Sequence, residues 1–385
     1  VRALAAWRQR FDAGPRWRAA VPPVEQADVM PDFQGGRRSG VDRHSAQTWL
    51  FDRDGRRAYR LTSLASARDI ARALIAKADV VVENFRPGTL EGWGMGWEEL
   101  RQLNPGLVML RISGYGQTGP YRDMPGFGVI GEAMGGLRHL TAEPGRVPVR
   151  VGVSIGDTLA ALHGVIGVMM ALYHRKVNGG AGQMIDVALH EAVFNVMESL
   201  IPEYSAFGAV REAAGSALPG IAPSNAYPCR DGYVLVAGNG DSIFKRLMEA
   251  IGRPDLGQAP DLADNAGRVQ RVAEIDAAIG AWTATRPIQD VLETLNAARV
   301  PVGRVYNARD IFEDPHYRAR DMILTQHTRD GHDLAVPGIV PKLSATPGTV
   351  RSSAPRLGDD TDDVLQRMGL SAEDIASLRR RGIVA

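Results

Sequence analysis

Cysteine is almost absent from this 385-residue chain: Cys229 stands alone. One thiol cannot close an internal disulfide, so the fold does not rest on oxidation. Thiolate zinc sites and iron–sulfur clusters need several cysteines and are excluded with it. Histidine is sparse too, with eight residues, no His-x3-His pair, and no second histidine at metalloprotease spacing after His190-Glu191. No Gly-x4-Gly-Lys-Ser/Thr phosphate loop occurs. The glycine loop 114–119 has Gly-x-Gly-x-x-Gly spacing after a strand but runs into Pro120 instead of opening a helix, so a nicotinamide cofactor has little support. No metal and no bound cofactor is expected. Long apolar runs are missing as well. The longest, Ala160 to Tyr173, contains His163 and two glycines, short of the roughly 18 residues of a bilayer span. No apolar signal segment opens the chain, so a cytoplasmic enzyme is the expectation.

What is present is ordinary in bulk and uneven in place. The formal net charge is +1, with 44% hydrophobic and 23% charged residues. Residues 1–60 carry twelve arginines against seven acids, a balance of +5. The remaining 325 residues hold 33 bases against 37 acids, a balance of −4. The first 60 also contain no lysine, no isoleucine and three of the six tryptophans. These arginines are scattered and no nucleic-acid motif accompanies them, so neither a nucleic acid nor a membrane is an expected partner.

Organisation becomes legible near residue 64. A helical period covers 66–76, and Val80-Val81-Val82 is a β-branched run suited to a buried parallel strand. A short helix over 97–103 meets Asn104-Pro105-Gly106, and a second strand over 107–113 leads into the glycine loop. Helix–strand alternation with short loops predicts a parallel, doubly wound α/β sheet. A long apolar helix over 158–177 follows Asp157, and a strand over 183–188 follows that. Beyond a Gly/Ala/Pro-rich stretch, Asp231-Gly232 predicts a hairpin that opens a smaller α+β domain. The predicted layout is an atypical segment 1–63, a large domain 64–205, a mobile linker 206–222, a small domain 223–315, and a return to the large domain over 316–385. Before residue 60 neither a clean helix nor a strand–turn–helix is readable.

The residues left for chemistry are carboxylates and loop side chains. Asp157 opens the apolar helix, where aspartate is a favoured N-cap. The same placement keeps a carboxylate ionised and fixed, as a nucleophile for covalent transfer requires. Both readings stand at this point. Asn84-Phe85-Arg86-Pro87-Gly88 follows a strand end, where open α/β sheets bind ligands. Arg86 suits a phosphate and Phe85 a base; a plain Pro-Gly turn accounts for the segment equally well. Tyr115 and Gln117 carry the same ambiguity.

Taken in order, the motifs resemble one family. They are Val81–Gly88, Leu103-Asn104-Pro105, Ile112–Pro120, Pro148–Gly152 with Gly156-Asp157, Gly182–Val187, Asn225–Pro228, Asp231–Tyr233, Val302-Gly303 and Leu357–Leu365. The series is similar to the class III CoA-transferases, the family of formyl-CoA transferase and carnitine CoA-transferase, across about residues 66–385. The resemblance implies a Rossmann-like large domain plus a small domain, in two subunits interlocked as rings, a homodimer. It implies an acyl-CoA donor, a carboxylic acid acceptor (dicarboxylates among them), and no cofactor beyond the CoA thioester. It places Asp157 on the catalytic aspartate, which would form aspartyl anhydride and aspartyl-CoA thioester intermediates. It places Asn84, Phe85 and Arg86 on the CoA-lining segment, with Tyr115 and Gln117 beside it.

Some positions depart from the family pattern. Phe127 stands where related racemases carry a histidine, which argues against racemisation. Gly128 stands where many transferases carry an acid, and Gly92 where the family often has an arginine. The strand–helix–strand unit with which the family begins is not readable in residues 1–60. That motivates two further expectations: that this segment is not the native N-terminus, and, as an alternative function, that the chain is a catalytically impaired acyl-CoA-binding homologue.

Overall fold

The computed structural model describes residues 67–385 and four short strands before them. These strands are β1 (Met30–Pro31), β2 (Arg38–Ser39), β3 (Thr48–Phe51) and β4 (Ala58–Arg60). β1 and β2 pair with each other. β3 and β4 join β5 (Val80–Glu83), β6 (Val108–Ser113) and β7 (Met184–Ala188) in a five-stranded sheet of order β4-β3-β5-β6-β7.

Strands β5, β6 and β7 run parallel, while β3 is antiparallel to both β4 and β5. This corrects two expectations: the segment before residue 60 does supply strands, and the sheet is mixed rather than parallel throughout. An antiparallel hairpin needs no crossover helix, so no helical period marks this part of the sequence. The expectation of a non-native N-terminus falls on residues that lie outside the described ones.

The chain divides into two compact units. The first joins the described residues up to Gly128 with Gly156–Ala192. Its parallel strands carry packing on both faces. On one face Val81, Phe85 and Met109 pack with Ala71 and Ile75 of the Arg68–Ile75 helix and Leu100 of the Trp97–Leu103 helix. Asn104 stops the second of these helices, its side-chain amide donating to the carbonyls of Ile75 and Ala78. On the other face Leu110, Ile185 and Val187 meet the Ile155–Val177 helix.

That helix sits close because it turns small residues to the sheet. A Cβ at Gly164 would fall 2.7 Å from Leu110, and one at Gly167 would fall 3.0 Å from Ile185. The helix is long and apolar enough to cross a bilayer by length and composition. It nevertheless carries Asp157 and His163, ends in His174-Arg175-Lys176, and packs on a sheet. Leu162, Ile166, Met170 and Tyr173 lie exposed along it. A cavity of about 1210 Å³ opens between Val80, Val82 and Leu110 of the sheet and Val165, Met169 and Leu172 of the helix.

The second unit comprises Val129–Ile155 and Val193–Ala385. Strands β8 (Ser224–Cys229), β9 (Gly232–Ala237) and β10 (Val302–Arg304) form its antiparallel sheet, with the β8–β9 turn at Arg230-Asp231, one residue before the predicted Asp231-Gly232. Val234 and Val236 pack on Phe244, Leu247, Ile275 and Val291. Arg268 lies fully buried, its guanidinium 5.1 Å over the Phe244 ring. It donates to the carbonyls of Ala222, Leu262, Ala263 and Asn239 and to Asp241. Asn265 adds two bonds to the same loop, accepting from the Ala222 N–H and donating to the Gly220 carbonyl. The hairpin β11 (Ile323–His327) and β12 (Asp333–Pro337) and the helices Thr361–Arg367 and Ala372–Arg380 follow.

Candidate active site

The carboxyl ends of β5, β6 and β7 carry the candidate residues of the first unit. Glu83 ends β5 with 1% exposure. Its carboxylate accepts the Phe85 N–H at 2.7 Å and the Arg111 Nε at 2.5 Å. Arg111 of β6 also makes a forked contact with Glu91, at 2.5 and 3.2 Å. Burial pushes the Glu83 carboxyl up, with Arg111 pulling the other way. Partial burial also opposes ionisation of Glu91, but the hydrogen bond from Arg111, a backbone hydrogen bond and the charges of Arg111 and Arg122 together outweigh it and hold that carboxyl below its ordinary value. The guanidinium stays charged between them.

This triad starts the 84–88 turn. Asn84 is exposed. The Phe85 ring is buried against Trp93, edge-on with centroids 4.9 Å apart, so it belongs to the core. Arg86 is exposed and donates to the Asp123 carbonyl at 3.0 Å, tying the turn to the segment after the glycine loop. Gly88 closes the turn at φ +87°, a conformation that favours glycine.

The loop after β6 is pinned at three points. Ser113 Oγ accepts the Gly116 N–H at 3.0 Å, and Asp186 of β7 accepts the Gln117 N–H at 2.8 Å. A His190 ring nitrogen lies 3.2 Å from the Gly114 carbonyl. Tyr115 is half-buried between Tyr121 and His190, with centroids 5.9 and 5.8 Å away. The Gln117 side-chain nitrogen is buried and meets no partner among the described residues.

Asp157 is reached through backbone packing. A Cβ at Gly114 would sit 3.0 Å from the Gly126 Cα, so the loop runs against the 126–128 segment. A Cβ at Gly156 would lie 2.7 Å from the Gly128 carbonyl oxygen. A Cβ at Gly128 would lie 2.4 Å from an Asp157 carboxylate oxygen. Three glycines thus bring the carboxylate onto the backbone of residue 128, which is buried. The helix begins at Ile155, so Asp157 occupies its first turn and not the N-cap. The helix dipole favours the ionised carboxylate there. Asp157 is exposed, as a group that meets a solute must be. Phe127 is exposed beside it and holds no titratable group.

The structure therefore gathers Asp157, the 84–88 turn and the glycine loop on one unit. Sequence reading missed the groups that hold them, Glu83, Arg111, Glu91, Asp186 and His190. The available signal was charge inside strands otherwise buried.

The sequence pattern of CoA-transferase family III matches residues 27–361. The match begins well before residue 66, so the stretch 27–65 follows the family's pattern, contrary to the expectation from its composition. Succinyl-CoA–D-citramalate CoA-transferase of Chloroflexus aurantiacus is 45% identical over 317 residues, 82% of this chain and 79% of that protein. The succinyl-CoA–L-malate CoA-transferase beta subunit of the same organism is 38% identical over 356 residues, 90% and 88% of the two chains. The crystal structure of a CAIB/BAIF family protein from Brucella suis superposes with a TM-score of 0.69 at 30% identity, covering 83% of this chain and 86% of that one.

Proposed function

The chain belongs to CoA-transferase family III and is a CoA-transferase, and from that premise we propose that it moves CoA from succinyl-CoA to a C4–C5 dicarboxylic acid through Asp157. The donor and acceptor classes rest on the relatives, which are named for succinyl-CoA with D-citramalate and L-malate. The observation that carries the role of Asp157 is its exposed carboxylate, set on the Gly128 backbone at the head of a helix, on the unit that holds the 84–88 and 114–119 loops.

In the proposed sequence an Asp157 oxygen attacks the donor thioester carbonyl. The C–S bond breaks, CoA leaves as thiolate, and a mixed aspartyl anhydride remains. The thiolate attacks the aspartyl carbonyl, releasing the donor acid and leaving an aspartyl-CoA thioester. The acceptor carboxylate attacks that thioester, CoA leaves again, and a second anhydride forms. The thiolate then attacks the acceptor acyl carbon, which restores the Asp157 carboxylate. No proton transfer is required, which agrees with the absence of an acid/base side chain at Phe127. Asn84, Arg86, Tyr115 and Gln117 line the CoA in this reading, Phe85 contributes its backbone, and no further cofactor takes part.

The exposed apolar stripe Leu162–Tyr173 on the Ile155–Val177 helix supports a homodimer in which a second copy covers it. In that assembly we place a cytoplasmic enzyme of two interlocked subunits, each with the small domain 223–315 between the two parts of the large one.

The test is exchange between succinyl-CoA and D-citramalate or L-malate, followed by mass spectrometry of the protein. Wild type is expected to transfer CoA and to show a CoA adduct at Asp157, and Asp157→Ala neither. Transfer by Asp157→Ala rejects the role of that residue. CoA binding without exchange over a panel of acids would favour an acyl-CoA-binding homologue.

A further inference from the structure

Glu83, Arg111 and Asp186 are register partners on three adjacent parallel strands. Partners at one level of a parallel sheet point to the same face. The row therefore sets acid, base and acid side by side near the carboxyl edge, where such sheets bind ligands. Each member then reaches a loop. Glu83 takes the Phe85 N–H at the start of the 84–88 turn, and Arg111 holds Glu91 just beyond that turn. Asp186 takes the Gln117 N–H in the 114–119 loop.

Stability gives a weak reason for such a row. Glu83 and Arg111 are 1% and 3% exposed. Desolvating two charges costs about as much as their attraction returns, and apolar residues of equal size commonly do as well or better. What apolar residues cannot do is accept an N–H from one loop and fork onto a carboxylate at its far end.

We propose that Glu83, Arg111 and Asp186 are positioning residues that set the two loops at the spacing CoA requires, so that the ionic row fixes CoA affinity and not fold stability. The inference rests on the CoA-transferase reading above. It differs from it in naming residues that touch no substrate.

The experiment compares binding of free CoA by calorimetry with thermal unfolding, in the full chain. Glu83→Leu/Arg111→Met replaces the buried pair by apolar side chains. It is expected to keep Tm within about 3 °C of wild type and to raise Kd for CoA about tenfold. Asp186→Ala, at an exposed position, is expected to raise Kd similarly, and Asp186→Asn, which retains an acceptor for the Gln117 N–H, to restore most of it. A folded double variant with wild-type Kd overturns the proposal. If the double variant does not fold, the charge row is structural, and the proposal is again overturned for Glu83 and Arg111. Equal Kd for Asp186→Ala and Asp186→Asn overturns it for Asp186. Wild type is measured first: failure to bind CoA there rejects the functional reading, whereas wild-type binding with unaffected variants rejects only the positioning role.

Discussion

Replacing Gly128 by alanine tests the placement of Asp157 directly. The new Cβ would stand 2.4 Å from one carboxylate oxygen and 2.7 Å from the other and from Cγ. Ordinary contact begins at 3.4 Å, so the carboxylate must withdraw by about 1 Å. The backbone has no room to yield instead, because Gly156 already lies against the Gly128 carbonyl. A displacement of about 1 Å at a nucleophile costs on the order of 100-fold in rate, or about 2.7 kcal/mol of transition-state stabilisation. Stability should hardly move: alanine gains up to about 1 kcal/mol over glycine in a helix, which offsets a rotamer change of about the same size. The expected result is kcat for succinyl-CoA exchange lowered about 100-fold, with Kd for CoA and Tm near wild type. Gly128→Glu should be no more active, since an added acid enters by displacing the one already there. A kcat for Gly128→Ala within about threefold of wild type, in a protein of unchanged Tm, would refute the claim that this glycine seats the carboxylate.

Arg268→Met should destabilise the second unit by about 3–5 kcal/mol, since it strips a buried donor from four carbonyls and Asp241; a urea midpoint equal to wild type would contradict this. Burial, reinforced by the bond to Asp276, pushes the Tyr227 phenol far above its ordinary 10. The unfolded chain then loses that proton above pH 10 while the folded one keeps it, so stability is full below pH 10 and falls above it. The slope is about 1.4 kcal/mol per pH unit; Tyr227→Phe should remove it, and equal urea midpoint slopes above pH 10 in wild type and variant would count against this. Gly182→Ala would set a Cβ 1.8 Å from the Leu107 carbonyl oxygen, beside the bond from the Gly182 N–H to Pro105. A loss of about 4 kcal/mol is expected, and a Tm within about 2 °C of wild type would show that this turn yields freely.

The elements that could be read from the sequence are those whose own residues decide their state. Val80-Val81-Val82 is β-branched and flanked by a helix end, and Trp97–Leu103 is stopped by Asn104-Pro105-Gly106. Asp157 was visible for the same reason, as a carboxylate at the head of an apolar helix. The start of that helix was not. Glycine is a poor helix former, so Gly156 reads as approach rather than helix, and the boundary falls three residues late. Its side chain is missing because the Gly128 carbonyl occupies the space a Cβ would need, and tertiary contact there overrides propensity.

The ionic row was hidden by a different cause. Glu83 and Arg111 are 28 residues apart in sequence, and Asp186 lies far beyond both. Their adjacency exists only once β5, β6 and β7 take their register. A lone charge in a buried strand looks like a fault in the strand. Two opposite charges at the same level of neighbouring strands are a pair, and a third at that level makes a device that reaches two loops at once. Pattern along the chain therefore exposes the proposed nucleophile, while the apparatus that shapes its surroundings is encoded across strands. Substitutions there should alter CoA affinity while leaving the Asp157 carboxylate in place.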